Sequence, residues 1–248
     1  LLKGKVALVT GASKGIGFQI AREFANRGAS VILCSRKKSA AQKAADMIHR
    51  ATLAEQLDIT DAASVRKLVA KTKERYGRID ILVNNAGYPF ERRVWYKSFH
   101  DGTDNELDRI VEVDLKGTAR MCRAVIPLMT GQGGVIISIS STPSISGYTE
   151  GAPYTLAKAA IIAMTKHIAL EYGQRNVRAY TLALGNIASD ATFGSMTPAE
   201  RKKAANENAM RRWGDPREVA RIAASIAGDD FAFATGNTIV IDGGTVLL

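Results

Sequence analysis

Cysteine and histidine are scarce in this chain: 248 residues include two of the first and three of the second. Cys34 and Cys122 lack metal-ligand spacing, and His49, His100 and His167 are scattered. Neither a structural zinc site nor a disulfide framework is expected, and no metal enters the reading. Long apolar runs are missing as well. No stretch approaches the ~20 apolar residues of a membrane span, and Leu1-Leu2-Lys3-Gly4-Lys5 leads into a strand pattern rather than a signal peptide. A cytoplasmic protein without a membrane partner is the expectation. The net charge of +10 would suit an anionic ligand, but Arg66, Lys67, Lys71 and Lys73 lie among acidic residues on amphipathic segments. No nucleic-acid motif accompanies them, and no nucleic-acid partner is expected.

What is present is a regular alternation of apolar runs and amphipathic segments, with 46% hydrophobic residues overall. This argues against disorder and for one domain over residues 1–248. Residues 5–10 read as a buried parallel strand, followed by Thr10-Gly11-Ala12-Ser13-Lys14-Gly15-Ile16-Gly17 and a helix over 16–27. Gly11, Gly15 and Gly17 permit a tight turn, approach of a phosphate and close helix packing. Their spacing is Gly-x-x-x-Gly-x-Gly, not the commoner Gly-x-Gly-x-x-Gly.

The next strand, 30–34, ends in Ser35-Arg36-Lys37, where an acidic residue would bind the ribose hydroxyls of NAD. Arg36 can instead hold a 2′-phosphate, with Lys14 approaching from the first turn, so NADP is preferred while NAD stays possible. After a helix over 39–50 and a strand over 53–57, Asp58 and Ile59 are expected near the adenine. Asp58 or Asp61 can equally cap the next helix, over 62–76. The strand 79–83 ends in Asn84-Asn85-Ala86-Gly87, where Asn85, Ala86 and Gly87 are expected beside the cofactor. Four strand–helix alternations to this point indicate a parallel sheet with crossover helices.

Phe90, Trp95, Tyr96 and Phe99 form either an apolar wall over a substrate or ordinary packing. A long helix is expected from Thr103 or Asp104 through Leu128, with Asp114 inside it and facing solvent. The strand 135–139 leads to Ser141. Beyond a Pro/Gly/Ser connection, Tyr154 and Lys158 share one face of a helix over 153–170. An ammonium so placed favours the ionised form of the phenol, which suits proton exchange. After the strand 177–182, Gly185, Ile187 and Ser189 are expected along the nicotinamide and phosphates. Residues 188–214 break the strand–helix rhythm and read as a substrate cover or a rigid flank. A helix over 216–226, a strand over 236–241 and an apolar tail expected to be buried complete the chain.

The ordered set Thr10-Gly11-x-x-x-Gly15-x-Gly17, Asn84-Asn85-Ala86-Gly87, Ser141, Tyr154-x-x-x-Lys158 and Asp242-Gly243-Gly244 resembles the short-chain dehydrogenase/reductase family across nearly the whole chain. The nearest likeness is to single-domain oxoacyl-carrier-protein reductases and sugar or polyol dehydrogenases. The resemblance implies a Rossmann-like, doubly wound, seven-stranded parallel α/β sheet with helices on both faces, and often a homotetramer. It implies hydride transfer between nicotinamide C4 and a small to medium polar carbonyl or alcohol. Tyr154 would be the acid/base, Ser141 would orient the substrate oxygen, and Lys158 would bind ribose and tune the phenol.

Two departures stand out. The family usually has asparagine at position 114, supporting a water-linked proton path to the lysine, and a carboxylate cannot donate as an amide does. Asp114 is retained as a possible relay member. Leu184-Gly185 replaces the more usual Pro-Gly. Alternatives are an NAD-dependent sugar or polyol dehydrogenase and a catalytically weak dinucleotide-sensing oligomer; an acyl carrier protein is a possible partner that no motif supports.

Overall fold

The structure, a computed structural model, describes residues 2–48, 50–189 and 192–247. In chain order its first half contains Val6–Val9 (β1), Gly15–Asn26 (α1), Ser30–Ser35 (β2), Lys38–Asp46 (α2), Thr52–Gln56 (β3), Ala62–Tyr76 (α3) and Ile81–Asn84 (β4). Then come Arg92–Trp95 (α4), Asp104–Val111 (α5), a π-helical turn at Glu112–Gly117, Thr118–Met129 (α6), Gly134–Ser141 (β5), Pro143–Ser146 (α7) and Ala152–Tyr172 (α8). Val177–Leu184 (β6), Pro198–Ala205 (α9), Pro216–Ala227 (α10) and Thr238–Ile241 (β7) finish the fold.

Runs that are apolar on both faces belong in the middle of a sheet covered from both sides. β1 and β4 are wholly buried, and β5 and β6 nearly so. The strands form one seven-stranded sheet in the order β3-β2-β1-β4-β5-β6-β7. Every pairing is parallel, with Ala7 opposite both Val31 and Ile81 and Ile137 opposite Tyr180. This is the Rossmann-like doubly wound sheet. Phe18, Phe24, Val219 and Ala223 carry α1 and α10 onto one core. Val65, Leu68, Met121, Val125 and Ile168 carry α3, α6 and α8 onto the other.

Helix starts follow local chemistry. Asp61 accepts from the Ala63 N–H at 2.8 Å and is the cap of α3, so Asp58 is not. Thr103 with Glu106, Thr197 with Glu200, and Asp215 with Glu218 form reciprocal capping boxes on α5, α9 and α10. The helix expected to run unbroken to Leu128 instead widens into the π turn. A Cβ on Gly117 would lie 2.7 Å from Ile59 Cδ1, so only glycine lets the turn approach the end of β3 so closely. In the single chain Leu247 of the apolar tail is exposed, while Leu248 lies outside the described residues. Among the described residues no helix is long and apolar enough to cross a membrane.

Candidate active site

The sheet order reverses at β1, which has β2 on one side and β4 on the other. Loops leaving the carboxyl ends of strands open a crevice at such a point. Here the glycine turn and the Asn84–Gly87 segment are bound together. Thr10 Oγ1 accepts from the N–H groups of both Asn85 and Ala86 at 3.0 Å. The Asn85 amide donates to the carbonyls of Thr10 and Gly11 at 3.0 and 3.1 Å. A Cβ on Gly17 would lie 2.3 Å from Asn85 Nδ2, and one on Gly11 2.9 Å from Ala86 Cα. The Asn85 side chain thus braces the turn and leaves its own carbonyl oxygen for other work.

Gly15 is different. At φ +58° it adopts a conformation that suits glycine, and the nearest atom to an added Cβ is Ser189 Cβ at 3.9 Å. Its neighbour Lys14 is exposed, and no side chain caps the start of α1. Ser13, Lys14, Gly15, Ser189, Trp213 and Arg217 are among the residues lining a cleft of about 610 Å³. The cleft does not reach Tyr154 or Lys158.

The other expected cofactor residues are placed unevenly. Ile16 is half-buried against the core. Arg36 is exposed at the end of β2, where Ser35 Oγ accepts from the Lys37 N–H at 3.2 Å. Asp58 Oδ1 accepts from the Thr60 hydroxyl at 2.7 Å and its N–H at 2.9 Å, and these bonds hold the carboxyl below its usual range, helped by Arg36. The Ile59 side chain is buried against Gly117, which leaves only its backbone for a ligand. Gly185 packs on Asp242, where a Cβ would come within 2.6 Å. Ile187 is also buried, in a parallel bridge to Gly214.

Asp114 is a correction to the sequence reading. It is 0% exposed, inside the π turn, where a solvent-facing position was expected. Its Oδ1 accepts from the Tyr88 N–H at 2.6 Å, and its Oδ2 lies 3.4 Å from Lys158 Nζ. That second oxygen has no directed hydrogen bond, so the contact is an ion pair. Lys158 is itself buried; its ammonium donates to the Ile139 carbonyl at 3.2 Å and lies 5.5 Å from the centroid of the Tyr154 ring. Burial works against that charge, but Asp114 first and Tyr154 second outweigh it, and the Lys158 pKa is raised. Asp114 was legible by register: Ile110, Met121 and Val125 mark the buried face, and Asp114 falls on it.

Ser141 ends β5, one residue beyond Ser140, whose hydroxyl donates to the Lys158 carbonyl at 3.0 Å. The Ser141 hydroxyl donates to the Leu184 carbonyl at 3.2 Å, a carbonyl that also accepts the Thr142 N–H at 3.0 Å. Trp95 packs edge-on to Tyr154, 5.5 Å between centroids, with Phe90 at 5.7 Å and Tyr148 at 6.2 Å. Trp95 thus packs beside Tyr154 with Phe90 against it, whereas Phe99 is exposed. Sequence reading missed Tyr148 and Glu150, whose carboxylate accepts from Trp95 Nε1 at 2.9 Å. Gly151 is the available signal, since a Cβ there would strike the Trp95 ring at 2.6 Å.

The segment over 188–214, apart from Asp190 and Ala191 outside the described residues, packs on itself. Trp213 meets Phe193 edge-on at 5.0 Å and donates to the Arg201 carbonyl at 2.9 Å, and Arg201 stacks over Phe193 at 4.1 Å. An Arg92–Glu200 ion pair of 2.6 Å ties α9 to α4. Among the described residues no cluster of three or more His, Cys, Asp or Glu could hold a metal ion.

A parallel sheet with a glycine-lined crevice and a Tyr–Lys pair beside it is the architecture of a dinucleotide-dependent oxidoreductase. Residues 11–246 match the family described as enoyl-(acyl carrier protein) reductase. The chain is 37% identical to Oxidoreductase UcpA of Escherichia coli K12, over 99% of this chain and 96% of that protein. It is 34% identical to the 3-oxoacyl-[acyl-carrier-protein] reductase FabG of Thermotoga maritima, over 99% of each. The crystal structure of 3-ketoacyl-(acyl-carrier-protein) reductase from Brucella melitensis complexed with NADH superposes with a TM-score of 0.92 at 32% identity, covering 100% of both chains. The chain belongs to the short-chain dehydrogenase/reductase family, and its general activity is NAD(P)-dependent hydride transfer.

Proposed function

We propose that this protein is an NADP-dependent carbonyl reductase or alcohol dehydrogenase for small to medium polar substrates. The observation that carries the reading is the buried Lys158 ammonium beside the Tyr154 ring, at the sheet end where Ser141 leaves β5. The residues present fit a dinucleotide. The uncapped start of α1, the open Gly15 backbone, Ser13, Lys14 and Ser189 suit its phosphates. Arg36, with no carboxylate at the end of β2, suits a 2′-phosphate. The Brucella relative was crystallised with NADH, so likeness alone does not choose between the two cofactors, and Arg36 is what supports NADP here.

When bound, the nicotinamide supplies the hydride. Tyr154 gives its phenolic proton to the carbonyl oxygen as negative charge develops there. Lys158 holds a positive charge beside the phenol, which favours the oxyanion left behind, and would bind the nicotinamide ribose. Ser141 turns its hydroxyl from the Leu184 carbonyl to the substrate oxygen. Trp95 supplies an apolar face beside Tyr154, backed by Phe90 and Tyr148 and kept in place by Glu150. Oxidation of an alcohol runs these steps in reverse.

Two of the relatives named above are oxoacyl-carrier-protein reductases, which favours an oxoacyl thioester as the second reading. NADPH oxidation against a panel of sugars, simple ketones and oxoacyl thioesters separates the two. Replacing Tyr154 by Phe is expected to lower kcat by roughly 10²–10⁴-fold, the range for positioned proton transfer, with NADPH affinity retained. Full turnover in a folded Tyr154→Phe protein would remove Tyr154 from the chemistry.

A further inference from the structure

Asp114 stands between two fixed donors. On one side is the Tyr88 backbone N–H, 2.6 Å from Oδ1; on the other is the Lys158 ammonium, 3.4 Å from Oδ2. Neither donor can reverse its role, since a backbone amide carries one hydrogen and an ammonium has no acceptor. A carboxylate accepts on both sides. An amide would set its NH₂ against one of the two donors whichever way it turned, so the asparagine usual in the family could not make both contacts unaided.

The surroundings leave the carboxylate no other partner. Asp114 is 0% exposed, Oδ2 has no directed hydrogen bond, and Gly87 backs onto the pair: a Cβ there would lie 3.0 Å from Asp114 Oδ1 and 3.7 Å from Lys158 Nζ. The contacts join three elements that approach from different directions. These are the π turn, α8 through Lys158, and the loop after β4 through Tyr88. We propose that Asp114 is a positioning residue whose ionised carboxylate clamps the Lys158 ammonium to the Tyr88 backbone, replacing a water-linked path by a direct ion pair. This rests on the reading of Tyr154 and Lys158 given above.

The clamp has a consequence for proton affinity. The titratable groups facing the ammonium are Asp114 from the π turn and Tyr154 from α8; β5 contributes the neutral Ile139 carbonyl. Asp114 is the nearer negative charge. It keeps Lys158 protonated and, by the same sign, opposes negative charge on the Tyr154 oxygen. Removing it should lower the pH at which Lys158 loses its proton.

The test is a titration of enzyme carrying [ε-¹³C]lysine, with the Lys158 signal assigned by Lys158→Arg and folding followed by circular dichroism. In the native chain the signal is expected to keep its charged shift after exposed lysines have titrated near 10.5. Titration together with them, or below them, would overturn the clamp. In Asp114→Asn the Lys158 midpoint and the pH profile of alcohol oxidation should both move down by about one unit, a tenfold change in proton affinity. Superimposable profiles would overturn the proposal. If Asp114→Asn does not fold, the titration of the native chain still decides. Failure of the catalytic reading is separable, because unimpaired turnover in Tyr154→Phe would sink that reading and leave the lysine titration unaffected.

Discussion

The two halves of the site are built by different means. The nucleotide half is shaped by the backbone: Gly11 and Gly17 let Asn85 and Ala86 come so close that any Cβ would collide, and Asn85 seals the contact with neutral hydrogen bonds. The half proposed for proton transfer is held by charge, with Lys158 of α8 buried against Asp114, which lies in a turn no local propensity dictates. Steric fit is indifferent to pH and intolerant of volume. A buried ion pair tolerates small shifts of shape but neither the loss of a partner nor the loss of its proton.

Removing one partner should therefore give the largest effect. Lys158→Met leaves Asp114 as a lone buried carboxylate, and urea unfolding at pH 8 is expected to show a loss of about 3–5 kcal/mol. The loss should shrink at lower pH, where a lone buried carboxylate can take up a proton, and Lys158→Met with Asp114→Leu should recover much of it. A loss below about 1 kcal/mol, the range of exposed pairs, would show that charge does not hold this half. In the native chain the raised pKa of Lys158 fixes the sign of the pH dependence. The lysine's contribution is fully present below 10.5 and is lost only as pH rises through its higher folded value.

Arg36→Asp probes charge in the nucleotide half. Losing a charge-assisted phosphate contact and adding repulsion should weaken NADPH by about 1.5–3 kcal/mol, roughly tenfold to a hundredfold, with NADH changed far less. Fluorescence titration with each cofactor measures this. Equal losses would mean that the half is built by steric fit alone. Gly17→Ala is the steric counterpart. Its Cβ would fall 2.3 Å from Asn85 Nδ2 and 2.6 Å from the Gly11 carbonyl, and overpacking of this kind costs about 1–3 kcal/mol. The loss should be the same at pH 6 and pH 8, unlike that of Lys158→Met. A pH-dependent loss would erase the distinction between the halves.

The same difference explains what could be read in advance. Strand runs such as Leu8-Val9 and Ile136-Ile137, and glycine turns, are local patterns, so the sheet, its helices and the nucleotide crevice were legible in the sequence. The π turn was not legible, and the contact it makes is long-range: Gly117 meets Ile59 from a different crossover. Asp114 was placed in solvent on its residue type, although its spacing from Ile110 and Met121 puts it inside. Ile59 was assigned to the cofactor from its position after β3; the sequence did not show that its side chain is committed to the core, which leaves its backbone for that contact. Tyr148 and Glu150 sit in a connection without periodicity, and only the Gly151 contact with Trp95 reveals them.

The smallest effect comes from two helix starts that line the same cleft. α10 is capped by Asp215, which accepts from the Arg217 N–H at 2.8 Å, whereas α1 has no side-chain cap. A helix start filled by its own carboxylate has little left for an anion; an unfilled one is free to take a phosphate. Asp215→Ala should therefore cost about 1 kcal/mol of stability at neutral pH without weakening NADPH binding. Bonds to Arg217 lower the Asp215 carboxyl from 3.8 to about 2, so its contribution is present above 3.8 and disappears as pH falls through about 2. Urea midpoints of the native and Asp215→Ala chains should accordingly converge between pH 4 and pH 2. Tighter NADPH binding in the variant would place the cofactor's phosphates at α10 as well as at α1, and the cleft would then have two anion-binding ends.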